Sequence, residues 1–181
     1  MLIKQLKIEG FRSLKNVTWE PGELNVLIGP NGIGKSNLIR FLELITVAAK
    51  GGLGKYVQSL GGMDAIRWDG QAPKVSFTLD CMDEFITPDL YTLELIPTGS
   101  TYFVGREKLV TKNRQEVFID RTYKKATFKE ESGESLQELD SPQVIESDET
   151  LLSTVSGIPF YDVPLFKADL SSIAIYHDDK S

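Results

Sequence analysis

The chain has 181 residues, 41% of them hydrophobic and 25% charged, with a formal net charge of −6. That balance suits a soluble core of one domain, or a domain plus a subdomain, and argues against a generally basic nucleic-acid coat. Cys81 is the sole cysteine and His177 the sole histidine, which excludes an internal disulfide and a Cys/His zinc site.

Residues 1–9 alternate apolar with charged or polar side chains, a strand pattern without the apolar centre of a signal peptide. No apolar run approaches the roughly 20 residues that span a bilayer, so the chain reads as cytoplasmic, with no membrane partner. Val17 and Trp19 alternate with Thr18 and Glu20 as a second half-buried strand, closed by the turn signal Pro21-Gly22. Leu24-Asn25-Val26-Leu27-Ile28 is more continuously apolar and predicts a strand covered on both faces. It leads into Gly29-Pro30-Asn31-Gly32-Ile33-Gly34-Lys35-Ser36. A helix follows over about 35–50, with Leu38, Phe41, Leu42, Ile45 and Ala49 at helical spacing and Gly51-Gly52 as its stop.

Beyond a polar linker the texture changes. Residues 74–82, 90–97, 101–110 and 116–129 are rich in Val, Ile, Phe, Tyr and Thr, with turn residues between them at 97–100 and 111–114. They predict an antiparallel β-subdomain inserted after the first helix. Residues 130–150 are acidic and poor in apolar side chains, which predicts a mobile surface loop. Residues 151–155 and 165–170 read as short helices and 172–176 as a final strand. The resulting division is 1–60 for strands, loop and first helix, 61–129 for the β-subdomain, 130–150 for the acidic loop and 151–181 for the rest. The fold class is α/β, with a phosphate-binding loop.

The pattern Gly-x-x-x-x-Gly-Lys-Ser works through its backbone. Glycines let successive amides turn inward as an anion nest, and the following helix adds the positive end of its dipole. Lys35 would reach the β- and γ-phosphates as the catalytic cation, and the Ser36 hydroxyl would be a ligand of Mg²⁺. At average residue usage the pattern arises by chance in a chain this long roughly once in two hundred times. The strand before and helix after make chance rarer still.

Ile8-Glu9-Gly10-Phe11-Arg12-Ser13-Leu14-Lys15 stands about fifteen residues ahead of that loop. The pairing resembles the start of ABC-type ATPases of the SMC/RecF/OLD kind, closest to predicted bacterial RecF-like ATPases. The resemblance is strong over residues 1–50, weaker at 60–67, and loose at 151–153 and 175–178. It implies a P-loop NTPase fold with ATP and Mg²⁺ as cofactors, and a homodimer that sandwiches two nucleotides. By the same resemblance, Arg12 lies near the phosphates, and Asn31, Gly32, Ile33, Gly34, Lys35, Ser36 and Asn37 line them. Ile66, Arg67 and Trp68 lie toward the base and ribose.

Such proteins also need a signature motif, a Walker B strand ending Asp-Glu and a switch histidine, and none is visible in these 181 residues. Residues 75–80, ending in Asp80, alternate like a half-exposed strand. Residues 173–179 end in acids only after His177, which reads as a surface residue. Gln143 is a guess for the family's Q-loop glutamine. The resemblance therefore implies the N-terminal portion of a longer ATPase, inactive alone, whose full-length dimer drives a DNA-associated or defence-related switch. Replication repair, phage defence and coupling to a nuclease partner all fit. Two alternatives stand beside it: a non-hydrolysing nucleotide-binding module, and a small P-loop kinase, which would need alternating strands and helices around a parallel sheet. The basic residues Arg106, Lys108, Lys112, Arg114, Arg121, Lys124, Lys125 and Lys129 form a candidate DNA-binding strip, with solvated strand faces as the competing reading.

Overall fold

The computed structural model describes residues 1–22, 25, 27–30, 32, 34–82, 88–113, 116–123, 125–129, 136–139, 146–154 and 162–173. The alternation at the N-terminus is realised as β1 (Leu2–Phe11), which buries Leu6 and Ile8 and leaves Lys7 and Glu9 exposed. β1 turns through Arg12-Ser13 into β2 (Leu14–Trp19), with Phe11 paired to Leu14 across the turn.

The predicted strands of the middle region form as β3 (Val75–Met82), β4 (Leu90–Thr98), β5 (Thr101–Val110), β6 (Val117–Thr122) and β7 (Ala126–Lys129). With β8 (Leu136–Leu139) they make one eight-stranded sheet in the order β2-β1-β3-β4-β5-β6-β7-β8, each neighbouring pair antiparallel. The middle strands therefore do not form a sheet of their own. β3 pairs with β1, setting Ile8 beside Phe77 and Leu6 beside Leu79, so both strands present their apolar residues to one face. Sharing that face buries more apolar area than two separate sheets would. The antiparallel order also removes the small-kinase reading, which requires a parallel sheet.

The helices lie over that apolar face. α1 (Lys35–Lys50) turns Phe41, Leu44, Ile45, Ala48 and Ala49 inward, each large side chain contributing about 1.5–3 kcal/mol by burial. It stops where Gly51, at φ 100°, donates its N–H to the Val47 carbonyl. α2 (Leu53–Ser59), α3 (Met63–Ile66) and a 3₁₀ turn over 68–70 follow. α4 (Leu151–Thr154) and α5 (Asp162–Ser171) both pack against α1. A file of edge-to-face rings runs Phe11, Phe41, Phe77, Tyr91, Phe166, with centroids 4.9 to 6.0 Å apart, from the β1–β2 turn to α5.

Four expectations are corrected. In the 24–28 run, Asn25, Leu27 and Ile28 belong to no strand, and Ile28 is 86% exposed, while Leu24 and Val26 lie outside the described residues. Apolarity alone cannot bury a strand without partners on both sides. The acidic stretch 130–150 is not one loop: 136–139 pair with β7, the carbonyls of 146–149 accept bonds from Val104, Tyr102 and Arg121 although 146–148 are exposed, and Thr150 is buried. α5 begins at Asp162, ahead of the predicted 165, because Pro164 fits a first turn that needs no internal N–H. Ser172 and Ile173 follow α5 as a turn and coil, with the remainder of the predicted final strand outside the described residues.

Among the described residues the interior holds one charged pair. Glu107 and Arg121 are both wholly buried, with Nη1 and Oε2 3.8 Å apart. Glu107 accepts from the Tyr91 hydroxyl (3.0 Å) and from the backbone N–H groups of Leu151 (2.7 Å) and Leu152 (2.9 Å). Arg121 donates to the carbonyls of Glu149 (2.6 Å) and Glu146 (2.7 Å). Burial pushes the Glu107 carboxyl above the usual glutamate range, against the pull of those donors and of Arg121.

Candidate functional site

The glycine loop ends on the N-terminus of α1. Its N-cap is Gly34, at φ 105°, with no side-chain cap and no acidic residue in the first turn. The first amides of α1 are thus left without the partners that Ser, Asp or Glu would supply. Gly32 is also left-handed, at φ 89°, and the space where its Cβ would stand is open. A side chain at position 34 would stand 3.1 Å from Ser13 Oγ. Lys35 folds over the loop, donating Nζ to the carbonyls of Gly29 and Pro30, the latter at 2.7 Å. Ser36 is exposed.

The β1–β2 turn is docked on this loop. Asn37 Nδ2 donates to Ser13 Oγ at 2.8 Å, which ties the turn to the first turn of α1. Arg12 lies at φ 46°, a conformation that side-chain-bearing residues rarely hold. Two-residue hairpin connections favour Asn-Gly or Asp-Gly, and Arg-Ser has neither the flexibility nor the local hydrogen bonding of those pairs. The strained residue is fixed by two bonds: its N–H to the Ile66 carbonyl (2.8 Å) and its Nη2 to the Leu60 carbonyl (3.1 Å). Its Nε is buried with no partner. Burial, and then the positive charge of Arg40, hold the Arg12 pKa below its ordinary value.

The predicted base-side segment joins this cluster. Arg67 forms a bridge with Phe11 and an ion pair with Asp64 at 2.9 Å, and Lys15 Nζ stands 4.3 Å from the centre of the Trp68 ring. The structure thus brings Arg12, Gly34, Lys35 and Asn37 together at one end of the sheet, and sets Ile66, Arg67 and Trp68 beside Arg12. Asn31 and Ile33 lie outside the described residues, as do Gln143, His177, Asp178 and Asp179.

Asp80, the other candidate acid, is engaged by Lys112. It pairs in register with Gln5, six residues from Phe11, or about 20 Å along the strand. It therefore stands apart from the loop. Part of the basic strip is engaged within the fold. Arg121 is inside, Arg106 pairs with Asp120 at 2.9 Å, and Lys112 pairs with Asp80. Arg114 and Lys124 lie outside the described residues.

Sequence reading missed Arg40, Tyr56 and Glu43, which stand on the Arg12 side of α1 and α2. The Tyr56 hydroxyl lies 2.7 Å from Glu43 Oε2 and 3.0 Å from the Arg40 carbonyl. Burial and then Glu43 push the Tyr56 phenol well above its usual range. Only the spacing of Arg40 and Glu43, three apart among the apolar positions of α1, carried any signal of this.

Chemically, uncapped amides, two left-handed glycines, an ammonium over the loop and an exposed hydroxyl make a site for a polyphosphate. Among the described residues no group of three or more His, Cys, Asp or Glu could hold a metal by itself. The residues fit a magnesium ion carried largely by phosphate oxygens and water, with Ser36 as the protein's ligand. No helix among the described residues is long and apolar enough to cross a membrane.

A family described as "AAA ATPase domain" matches residues 1–131. An OLD nuclease from Thermus scotoductus is 34% identical over 44 residues, which cover 24% of this chain and 8% of that protein. The chain therefore matches only a small part of that relative's length.

Proposed function

The chain belongs to the AAA ATPase domain family, and from that premise we propose that it binds Mg-ATP as the N-terminal half of an SMC/RecF/OLD-like ATPase head. One observation supports this above the others: the uncapped, glycine-turned start of α1 lies beneath a strained arginine turn that Ser13 and Asn37 fasten to it. Left-handed arginine in a two-residue turn costs on the order of 1–2 kcal/mol, and such strain persists where a site requires it.

The division of labour follows from positions. The amides around Gly32 and Gly34 receive phosphate oxygens, and Lys35 exchanges its bonds to the Gly29 and Pro30 carbonyls for phosphate oxygens. Ser36 offers its hydroxyl to the magnesium ion, and Asn37 keeps the turn in register with α1. Arg12 adds positive charge on the turn side, and Ile66, Arg67 and Trp68 border the base and ribose. Bound Mg-ATP would supply the reactive phosphoanhydride and the divalent charge that phosphoryl transfer needs. Hydrolysis belongs to the full-length protein, in a homodimer closed over two nucleotides. Its closing and opening would serve a DNA-associated or defence-related switch, the likeness to an OLD nuclease favouring one coupled to a nuclease.

The test is steady-state ATP hydrolysis by the full-length protein beside its Lys35→Ala variant. A loss of two orders of magnitude or more is expected, because a lysine that tracks developing phosphate charge acts where water is excluded. Equal turnover in the two proteins would reject the assignment.

A further inference from the structure

Arg40 has no part in the loop motif, yet it stands in the cluster beside the loop. It is five residues into α1 from Lys35 and three from Asn37, so it shares a face with Asn37. Helical side chains lean toward the N-terminus. Arg40 does so, bringing its Nη1 to 3.4 Å from Asn37 Oδ1, at the outer limit of a hydrogen bond. Asn37 in turn holds Ser13, so Arg40, Asn37, Ser13 and Arg12 form one continuous rim on the turn side of the loop.

Two features make this rim unusual. Arg12 and Arg40 are close enough for one positive charge to weigh on the other, and neither forms an ion pair with a carboxylate among the described residues. Both are half-buried, so solvent screens their repulsion less than it would on an open surface. The backbone holds them there regardless: the Leu60 and Ile66 carbonyls fix Arg12, and the Tyr56 hydroxyl is bonded to the Arg40 carbonyl. Two guanidinium groups kept together, with the nearby Glu43 carboxylate accepting from the Tyr56 hydroxyl rather than ion-paired to either, suit a shared anion, since a phosphate oxygen between them turns mutual repulsion into two attractions.

We propose that Arg40 is a second phosphate-facing arginine, which together with Arg12 reads the terminal phosphate and favours a nucleoside triphosphate over the diphosphate. This rests on the assignment of residues 29–36 as the nucleotide site. The amides of the loop and Lys35 serve phosphates common to both nucleotides, whereas a rim cation matters for the phosphate that only the triphosphate carries.

The experiment measures ATP and ADP affinity by calorimetric titration with Mg²⁺ for the wild-type chain and for Arg40→Ala, Arg40→Lys and Lys35→Ala. Arg40→Ala should reduce the preference for ATP over ADP by about fivefold or more, with ADP affinity little changed and Arg40→Lys between the two. An unchanged preference would overturn the proposal. So would equal weakening of both nucleotides, which marks a merely structural contribution to α1. Lys35→Ala should weaken both nucleotides. If it weakens neither, or the wild type binds neither, the nucleotide assignment fails first and this inference falls with it. If Lys35→Ala behaves as expected and Arg40→Ala leaves the preference intact, only the inference falls.

Discussion

The two ends of α1 are built on opposite principles. At its start, Gly34 supplies no cap, the first turn carries no acid, and two arginines share a rim with no ion pair to a carboxylate among the described residues. At its finish, about 24 Å away for a helix of 16 residues, several polar groups have been given partners. The Ala48 carbonyl accepts from Thr150 Oγ1 at 2.5 Å, Gly51 donates to Val47, and Gly52 donates to the Glu149 carboxylate. Behind these, Glu107 and Arg121 hold 146–152 against the sheet. Sites need groups held in place by a saturated surround, and here the saturated surround sits at one end of a helix whose other end is left unsatisfied. Stability and reactivity are thus separated along one element.

Substitutions can break that separation or sharpen it. The largest effect is expected from Glu107→Ala, which strands the buried Arg121 charge and removes the acceptor for two N–H groups. Breaking a buried pair this way costs about 3–5 kcal/mol, measurable by urea unfolding. A loss under about 1 kcal/mol would mean the pair does not close this end of the helix. At the open end, Gly34→Ala places a side chain at φ 105° and 3.1 Å from Ser13 Oγ. A stability loss of about 1–2 kcal/mol is expected, accompanied by at least tenfold weaker ATP binding. Intact ATP affinity would show that the loop tolerates a different backbone.

The smallest effect is in pH dependence. The Glu107 pKa is raised in the folded chain relative to about 4.3 in the unfolded one. Between those two values the folded state holds more protons, so wild-type stability falls as pH climbs from about 4.3 through the folded value. In Glu107→Gln that component is absent. Urea midpoints of the two proteins across a pH series should diverge in slope over this range, and parallel curves would contradict the raised value.

The loop end of α1 was readable because its elements are local in sequence. Loop, helix and glycine stop follow one another in sequence, and the hairpin at 97–100 forms around a Gly99-Ser100 turn with Thr98 paired to Thr101. The saturated end was not readable. Strict alternation from Tyr102 and Val104 would have put Arg106 and Lys108 inside. A bulge at Gly105 shifts the register, so that Glu107 and Leu109 face in. That glycine was the available signal, since a Cβ there would lie 2.4 Å from the Ile96 side chain. β8 was hidden because two leucines three apart in an acidic run do not alternate. The 24–28 run was misread because hydrophobicity says that a segment seeks cover, but does not say what covers it.

Arg12 carries a consequence for anyone who would evolve this protein. Its left-handed backbone is the conformation that glycine or asparagine would adopt with less strain. A library sorted on melting temperature alone should therefore enrich those residues at position 12, and every winner would have shed the guanidinium. Robustness and ligand chemistry compete for a single codon, so a selection on this chain needs a nucleotide in the screen from the first round.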